Sequence, residues 1–323
     1  MTDGGPNGGP EAAGLSYERV HLAGRPGWWR PVVGVFALVV AEILVVPVVL
    51  MGAFIAGYAM WGSGDTQAWT DRLLDTSDPT PAGLAYLNLA LAGAILVAWL
   101  LTRLLHGLRP GWLASVRPRI RWTWFAACLG LSIAALLATL VVSALLPAQG
   151  EGTELSGGLN DFTTTTRDFA LVVLLLTPLQ AAGEEYAFRG YLTQAFGGLF
   201  RQRWVAVLVP ALLFALAHGA QDAPVFFDRF AFGIVAGVLA ITTGGLEAGI
   251  AMHVLNNWLA FGLALAYGDM ASTLNPSGGS WWSIPVTLTQ SLVYLGLALL
   301  VARRMGLRTT TDPAVLEAQN PRV

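Results

Sequence analysis

The segment that decides the fold of this chain is residues 169–189, which read FALVVLLLTPLQAAGEEYAFR. Its first half is a continuous apolar run, typical of a membrane-buried helix, yet Glu184, Glu185 and Arg189 follow within the same run. A charge at bilayer depth costs several kcal/mol or more, so ionisable side chains there are usually paired and usually functional. The segment therefore predicts both a membrane helix and a functional polar site.

The composition of the whole chain agrees with a membrane location. Of its 323 residues 55% are hydrophobic and only 12% are charged, and the mean hydropathy is +0.60. Soluble domains carry about a quarter charged residues, so the composition predicts an integral membrane protein in contact with the lipid bilayer. The net charge of −2 gives no reason to expect nucleic acid as a partner. All 18 basic residues are arginine, which indicates a GC-rich, bacterial source.

The apolar segments predict an all-α fold, a polytopic integral membrane helical bundle of about eight transmembrane helices. A spanning helix needs about 20 mostly apolar residues. The candidates are 32–56, 83–105, 122–147, 168–188, 204–220, 226–244, 247–267 and 283–302.

Residues 189–203 differ from the spans around them. Apolar side chains recur there at helical spacing, with arginine and glutamine residues between them. This pattern predicts one interfacial amphipathic helix after the fourth span. The alternative is a continuation of that span.

Arginine clusters orient the predicted bundle. Four arginines lie in the loop 106–121, Arg201 and Arg203 follow the fourth span, and Arg303 and Arg304 follow the eighth. Under the positive-inside rule these clusters are cytoplasmic, which places both termini in the cytoplasm and the bundle in the cell membrane.

The predicted domain organisation is one membrane-embedded helical domain between two tails. The domain covers 31–304. The tails 1–30 and 305–323 are polar and poor in large apolar groups, and we expect them to be disordered and cytoplasmic.

The first polar group lies at the end of the fourth span. Glu185 and Arg189 are spaced i, i+4 with the acid first, the favourable order for a helical ion pair, so we expect this pair to fix local geometry. Glu184 points about 100° away around the helix and remains the free carboxylate. A desolvated carboxylate can act as a base near neutral pH.

Two further spans carry polar pairs at the same spacing. Phe214 and His218 lie in the fifth span, and His253 and Asn257 lie in the seventh. Together with Glu184, these residues favour a functional site over two isolated packing contacts.

The depths of the two halves of this site test the predicted spans. Glu184 lies ~22 Å along a helix from the outer face and His218 ~21 Å from the cytoplasmic face, in a core ~30 Å thick. These depths coincide only if the 190–203 helix is partly sunken, or if the fifth span starts below Trp204.

The residue types point to hydrolysis of a peptide bond. A Glu and a His can orient and deprotonate a water, and a second His and an Asn amide can donate to the oxyanion that forms. Glu184, His218 and His253 could also supply the three protein ligands of an open catalytic zinc site. Activation of water without a metal is an equal alternative.

At these residues the chain resembles the CPBP family (CAAX protease and bacteriocin-processing, or Abi) of intramembrane endopeptidases. The family's motifs Glu-Glu-x-x-x-Arg, Phe-x-x-x-His and His-x-x-x-Asn occur here in that order on three consecutive hydrophobic regions, within about 165–265. The resemblance implies that the protein cleaves a membrane-associated protein or peptide. The family is usually classed as metalloprotease, which implies one zinc ion, although a metal-independent glutamate mechanism has been proposed for its members.

The resemblance also implies a role for each residue of the three motifs. Glu184 matches the catalytic glutamate, and His218 matches the histidine that helps it to activate water. His253 and Asn257 match the pair proposed to hold the oxyanion. The structural or substrate-orienting positions are Glu185, Arg189 and Phe214.

Two other classes of function are open to the same residues. One is a proton-coupled membrane transporter that uses Glu and His as a proton relay. The other is a catalytically silent immunity or scaffold protein on the same fold. Inverted repeats would favour a transporter, and the sequence shows none.

Overall fold

The computed structural model describes residues 14–145, 158–219, 222–275 and 279–319. Within these ranges the regular structure is helical, and extended pairing is limited to two isolated bridges, Ser16 with Thr310 and Ser115 with Gly245. The predicted all-α fold is confirmed, and the protein is a polytopic helical membrane protein.

The helices are numbered in chain order after an N-terminal 3-10 helix, Tyr17–Ala23. They are α1 (Trp29–Trp61), α2 (Thr66–Leu73), α3 (Pro81–Leu104), α4 (Gly111–Ala114), α5 (Trp122–Leu145), α6 (164–199), α7 (Val205–Ala217), α8 (Ala223–Thr243), α9 (Glu247–Tyr267), α10 (Met270–Leu274), α11 (Ser283–Arg304) and α12 (Pro313–Gln319). The run α6 consists of Thr164–Leu175, Thr177–Glu184, the π-helix Glu185–Leu192 and Thr193–Leu199.

In the part of the chain that the structure describes, six helices are long and apolar enough to cross a membrane: α1, α3, α5, α8, α9 and α11. Helix α7 is apolar but has only 13 residues, and α6 is not among the six. All eight predicted spans are therefore helical, but the fourth and fifth are not independent spans of full length. The reason is that protein, rather than lipid, covers most of α6 between Gly183 and Ala195.

The stretch 189–203, predicted as an interfacial amphipathic helix, is continuous with the fourth predicted span as far as Leu199, as the alternative had it. Helix α6 continues through its π-helical part to Leu199. The side chains of Tyr191 and Gln194 are fully buried, and Nε2 of Gln194 donates to the carbonyl of Trp112 at 2.9 Å. A π-helix has wider turns than an α-helix, so the 3.6-residue period does not apply to Glu185–Leu192, whereas Thr193–Leu199 is α-helical.

The predicted disorder of the tails does not hold for the residues that the structure describes. Tyr17 is fully buried and its hydroxyl donates to the carbonyl of Leu113 at 2.5 Å. Leu15 pairs with Thr311 through two hydrogen bonds of 2.8 and 2.9 Å, so the two tails pack together. The prediction averaged over the glycine- and proline-rich start of the chain and missed the apolar surface of this short helix. Residues 1–13 and 320–323 lie outside the described residues.

Two glycines allow the helices around the polar motif to approach closely. A Cβ on Gly183 of α6 would lie 2.2 Å from the carbonyl oxygen of Leu91 in α3. A Cβ on Gly249 of α9 would lie 2.6 Å from Oε2 of Glu185. The motif is therefore held between α3 on one side and α9 on the other.

Candidate active site

Glu185 and Arg189 form a buried ion pair at the centre of the bundle. Nη1 of Arg189 donates to Oε1 of Glu185 at 2.9 Å, and the two side chains are 1% and 0% exposed. The guanidinium also lies over the ring of Phe214, with 4.2 Å from Cζ to the ring centroid, a distance at which a cation–π interaction is favourable. Phe214 of α7 thus packs against α6 through the arginine.

His253 lies between the two carboxylates of the motif. Its Nδ1 is 3.0 Å from Oε1 of Glu185, and its Nε2 is 3.4 Å from Oε2 of Glu184. The second contact has the distance of an ion pair but not the geometry of a hydrogen bond, so the buried Oε2 of Glu184 has no hydrogen-bond partner.

His218 lies at the end of α7, on the exposed side of the site. Its Nδ1 is 2.8 Å from the carbonyl oxygen of Phe214. Because a carbonyl only accepts, Nδ1 carries the proton, and Nε2 of the neutral ring carries the lone pair. The ring of Phe214 contacts both His218 and His253, with centroid distances of 4.7 and 6.0 Å.

Asn257 reaches the site through a residue that the sequence analysis missed. Its Nδ2 donates to Oε1 of Gln180 at 2.9 Å, and Nε2 of Gln180 donates to Oε1 of Glu184 at 2.8 Å. The signal in the sequence was a lone polar side chain one helical turn before Glu184, within an apolar run.

The structure brings the predicted site residues into one region. Glu184, Glu185, Arg189, His253 and Asn257 are joined by the contacts above, and His218 is linked to them through the ring of Phe214, which contacts both histidines. The part of α6 that follows Gly183 is largely buried by protein, which agrees with the first of the two conditions named in the sequence analysis, a sunken 190–203 helix.

The predicted zinc ligands do not form a three-ligand set in this arrangement. No group of three His, Cys, Asp or Glu side chains within the described ranges is placed so that it could hold a metal ion. Nδ1 of His253 is occupied by Glu185, and Nδ1 of His218 by the backbone.

The fold and the site define a polytopic membrane protein with a buried carboxylate–imidazole–amide centre. Residues 166–259 match the model of the family described as "Type II CAAX prenyl endopeptidase Rce1-like". All the motif residues from Glu184 to Asn257 lie inside the matched segment. The resemblance to CAAX proteases drawn from the three motifs is confirmed over this segment.

A curated relative is similar over part of its length. It is "Uncharacterized protein YyaK" of Bacillus subtilis (strain 168), 31% identical over 137 residues, which cover 39% of this chain and 46% of that protein. The chain thus matches a little under half of the length of this relative. No solved structure matches the chain.

Proposed function

We propose that this protein is an intramembrane endopeptidase of the CAAX-protease type, which hydrolyses a peptide bond in a membrane-associated protein or peptide. The observation that carries the proposal is the state of Glu184. One of its oxygens is held by Gln180, whereas the other is buried, has no hydrogen-bond partner and faces His253 at 3.4 Å. An oriented carboxylate with a vacant acceptor is what a general base for water requires.

The proposed reaction begins with a water at Oε2 of Glu184. The water transfers a proton to Glu184 while its oxygen forms a bond to the carbonyl carbon of the substrate. Glu184 then gives that proton to the amide nitrogen as the carbon–nitrogen bond breaks. His218 helps to orient the water through the lone pair on Nε2.

The oxyanion of the intermediate needs donors that are already in place. His253 can donate from Nε2 when both of its ring nitrogens carry a proton, because its Nδ1 faces the carboxylate of Glu185. Asn257 has two N–H groups on Nδ2, of which one is used by Gln180, and the other is available. Glu185 and Arg189 hold His253 in its orientation without contact with the substrate.

Replacement of Glu184 by glutamine tests the proposal, because it keeps the shape of the side chain and removes the base. The assay uses purified protein in proteoliposomes and a library of fluorescence-quenched peptides with a lipid anchor. We expect a loss of turnover of at least about 100-fold. The control is Glu42→Gln, a second glutamate within a membrane helix, in the π-helical part of α1 and outside the site.

Retained cleavage in Glu184→Gln would exclude this function. Proton-coupled flux that is lost in the same variant, without any cleavage by the wild type, would support a transporter instead.

The role of a metal is tested on the same preparation. The proposed mechanism predicts turnover that survives incubation with EDTA. If EDTA abolishes turnover and zinc restores it, the proposed mechanism is wrong. The result would instead support the metal-assisted hydrolysis that the family's usual classification implies.

We also propose that the protein lies in a bacterial cell membrane with both of its termini on the cytoplasmic side. The pairing of Leu15 with Thr311 supports this, because it places both ends of the described chain on one side.

The single cysteine, Cys128, is fully buried, so a new surface cysteine can be labelled selectively. A membrane-impermeant maleimide should label Ser77→Cys in intact cells and Ala314→Cys only after permeabilisation, and the reverse pattern would invert the topology.

A further inference from the structure

Gln180 is a buried polar side chain in the apolar part of α6. It is 7% exposed, and both ends of its amide are engaged. Its Nε2 donates to Oε1 of Glu184 at 2.8 Å, and its Oε1 accepts from Asn257 at 2.9 Å. Gln180 therefore connects α6 to α9 at the level of the proposed base.

The direction of these hydrogen bonds follows from chemistry. An ionised carboxylate only accepts, so the nitrogen of Gln180, and not its oxygen, faces Glu184. The oxygen of Gln180 must then meet a donor, which fixes the nitrogen of Asn257 toward it. The two hydrogen bonds therefore run in the same direction, from Asn257 to Gln180 and from Gln180 to Glu184. A donor at the end of this chain stabilises the ionised carboxylate.

We propose that Gln180 is a positioning residue for the general base. It holds Oε1 of Glu184 so that Oε2 faces the water, and it transmits the position of Asn257 on α9 to Glu184 on α6. The inference rests on the proposed endopeptidase function and adds to it a residue outside the three motifs.

Packing alone does not account for a glutamine at this position. A methionine would fill a similar volume without the cost of burying an amide. A methionine would, however, remove the donor to Oε1 of Glu184 and the acceptor for Nδ2 of Asn257. The two hydrogen bonds of Gln180 therefore connect two residues of the proposed site, Glu184 and Asn257.

The chain offers a matched control on another face of α9. Nε2 of Gln290 in α11 lies 3.4 Å from Oδ1 of Asn256, the neighbour of Asn257. Gln290 is 8% exposed, close to the 7% of Gln180. This second pair joins a glutamine to the same helix but does not contact Glu184.

The experiment compares Gln180→Met with Gln290→Met in proteoliposomes, using a lipid-anchored peptide that the wild type cleaves. We expect Gln180→Met to lower kcat about 10- to 100-fold, the effect of losing one hydrogen bond to a charged group. KM should stay unchanged because Gln180 does not contact the substrate. The acidic limb of the kcat profile should move to higher pH, since the ionised carboxylate has lost a donor. Gln290→Met should leave all three at wild-type values.

A second variant separates loss of the donor from loss of folding. Gln180→Glu keeps the length of the side chain and an acceptor for Asn257, and it can donate to Glu184 only when protonated. We expect it to recover part of its kcat at low pH relative to Gln180→Met. A purely structural role of Gln180 would give no such recovery.

The outcomes distinguish this inference from the proposed function. If Glu184→Gln is inactive while Gln180→Met keeps the wild-type kcat and pH profile, the role of Gln180 is overturned and the endopeptidase stands. Equal losses in Gln180→Met and Gln290→Met would also overturn it. Retained activity in Glu184→Gln would overturn the proposed function itself.

Discussion

At the scale of single residues, burial determines what each charge can do. Glu185 is enclosed and has two partners, Arg189 and His253, on the same oxygen. Oε2 of each glutamate has no hydrogen-bond partner, but Glu184 is 9% exposed and its Oε1 accepts from the neutral amide of Gln180. The two adjacent glutamates thus differ in their partners, which are an arginine and a histidine for Glu185 and a neutral amide for Glu184.

Removal of the arginine from the buried pair should destabilise the fold. We expect Arg189→Met to lower the free energy of unfolding by about 3–5 kcal/mol, because it leaves the carboxylate of Glu185 buried without its charged partner. Chemical denaturation of the protein in detergent measures this change.

An exposed ion pair provides the control for that experiment. Arg72 and Asp78 form a pair of 2.8 Å whose side chains are 63% and 72% exposed. Arg72→Met should change the free energy of unfolding by about 0–1 kcal/mol. Similar effects of the two substitutions would contradict a structural role of Arg189.

At the scale of helices, close packing between α6 and α9 sets the geometry of the site. The carboxylate of Glu185 fits against α9 because residue 249 is a glycine, and His253 lies one turn further along the same helix. The π-helical stretch Glu185–Leu192 begins at this contact, and π-helical turns are often found at functional sites.

Gly249→Ala should therefore impair the site. Its Cβ would approach Oε2 of Glu185 to 2.6 Å, so the carboxylate must move, and with it His253. We expect turnover to fall at least about tenfold, as is usual when groups of a site are displaced by a fraction of an ångström.

Gly262 of the same helix is the matched control, since a Cβ there would have no neighbour within 4 Å. Gly262→Ala should keep turnover and raise the free energy of unfolding by about 0.5–1 kcal/mol, as alanine favours the helix. Equal activity of the two variants would show that the approach of α9 to Glu185 is not required.

At the scale of the whole molecule, the N-terminal segment is joined to α6 through a cluster of buried aromatic side chains. The rings of His21 and His106 are stacked at 3.9 Å, and Nε2 of His106 lies 3.1 Å from the hydroxyl of Tyr191 in α6. Burial lowers the pKa of His21 well below its usual value, and burial with the nearby Arg30 lowers the pKa of His106 to about 4.

The folded protein should therefore lose stability in mild acid. The unfolded chain takes up a proton at each histidine near pH 6.5, whereas the folded chain does not, so stability is full above that pH. Below it, the loss is about 1 kcal/mol per pH unit for each histidine, until the folded pKa is reached. Thermal unfolding between pH 7.5 and 5 measures it, and His21→Phe should reduce the slope. A flat profile in the wild type would contradict the burial of this pair.

The segments and the motifs could be predicted from the sequence because they depend on near neighbours. Each apolar run is a helix, and the spacing of Glu185 and Arg189 alone predicted their contact. The periodicity of 189–203 was also local information, but residues 189–195 are all buried, because neighbouring helices cover every face of that stretch. The helix Tyr17–Ala23 was missed because its apolar surface is small beside the polar tail that precedes it.

The amino-acid sequence by itself determined that this is a helical membrane protein and which side chains could form its polar site. Only the tertiary structure decided that His253 lies between two carboxylates and that Gln180 connects Asn257 to Glu184. These partners are 68 and 77 residues apart. Hydropathy and helical period are properties of consecutive residues, whereas contacts at such separations depend on how closely the helices approach, which here requires a glycine at residue 249.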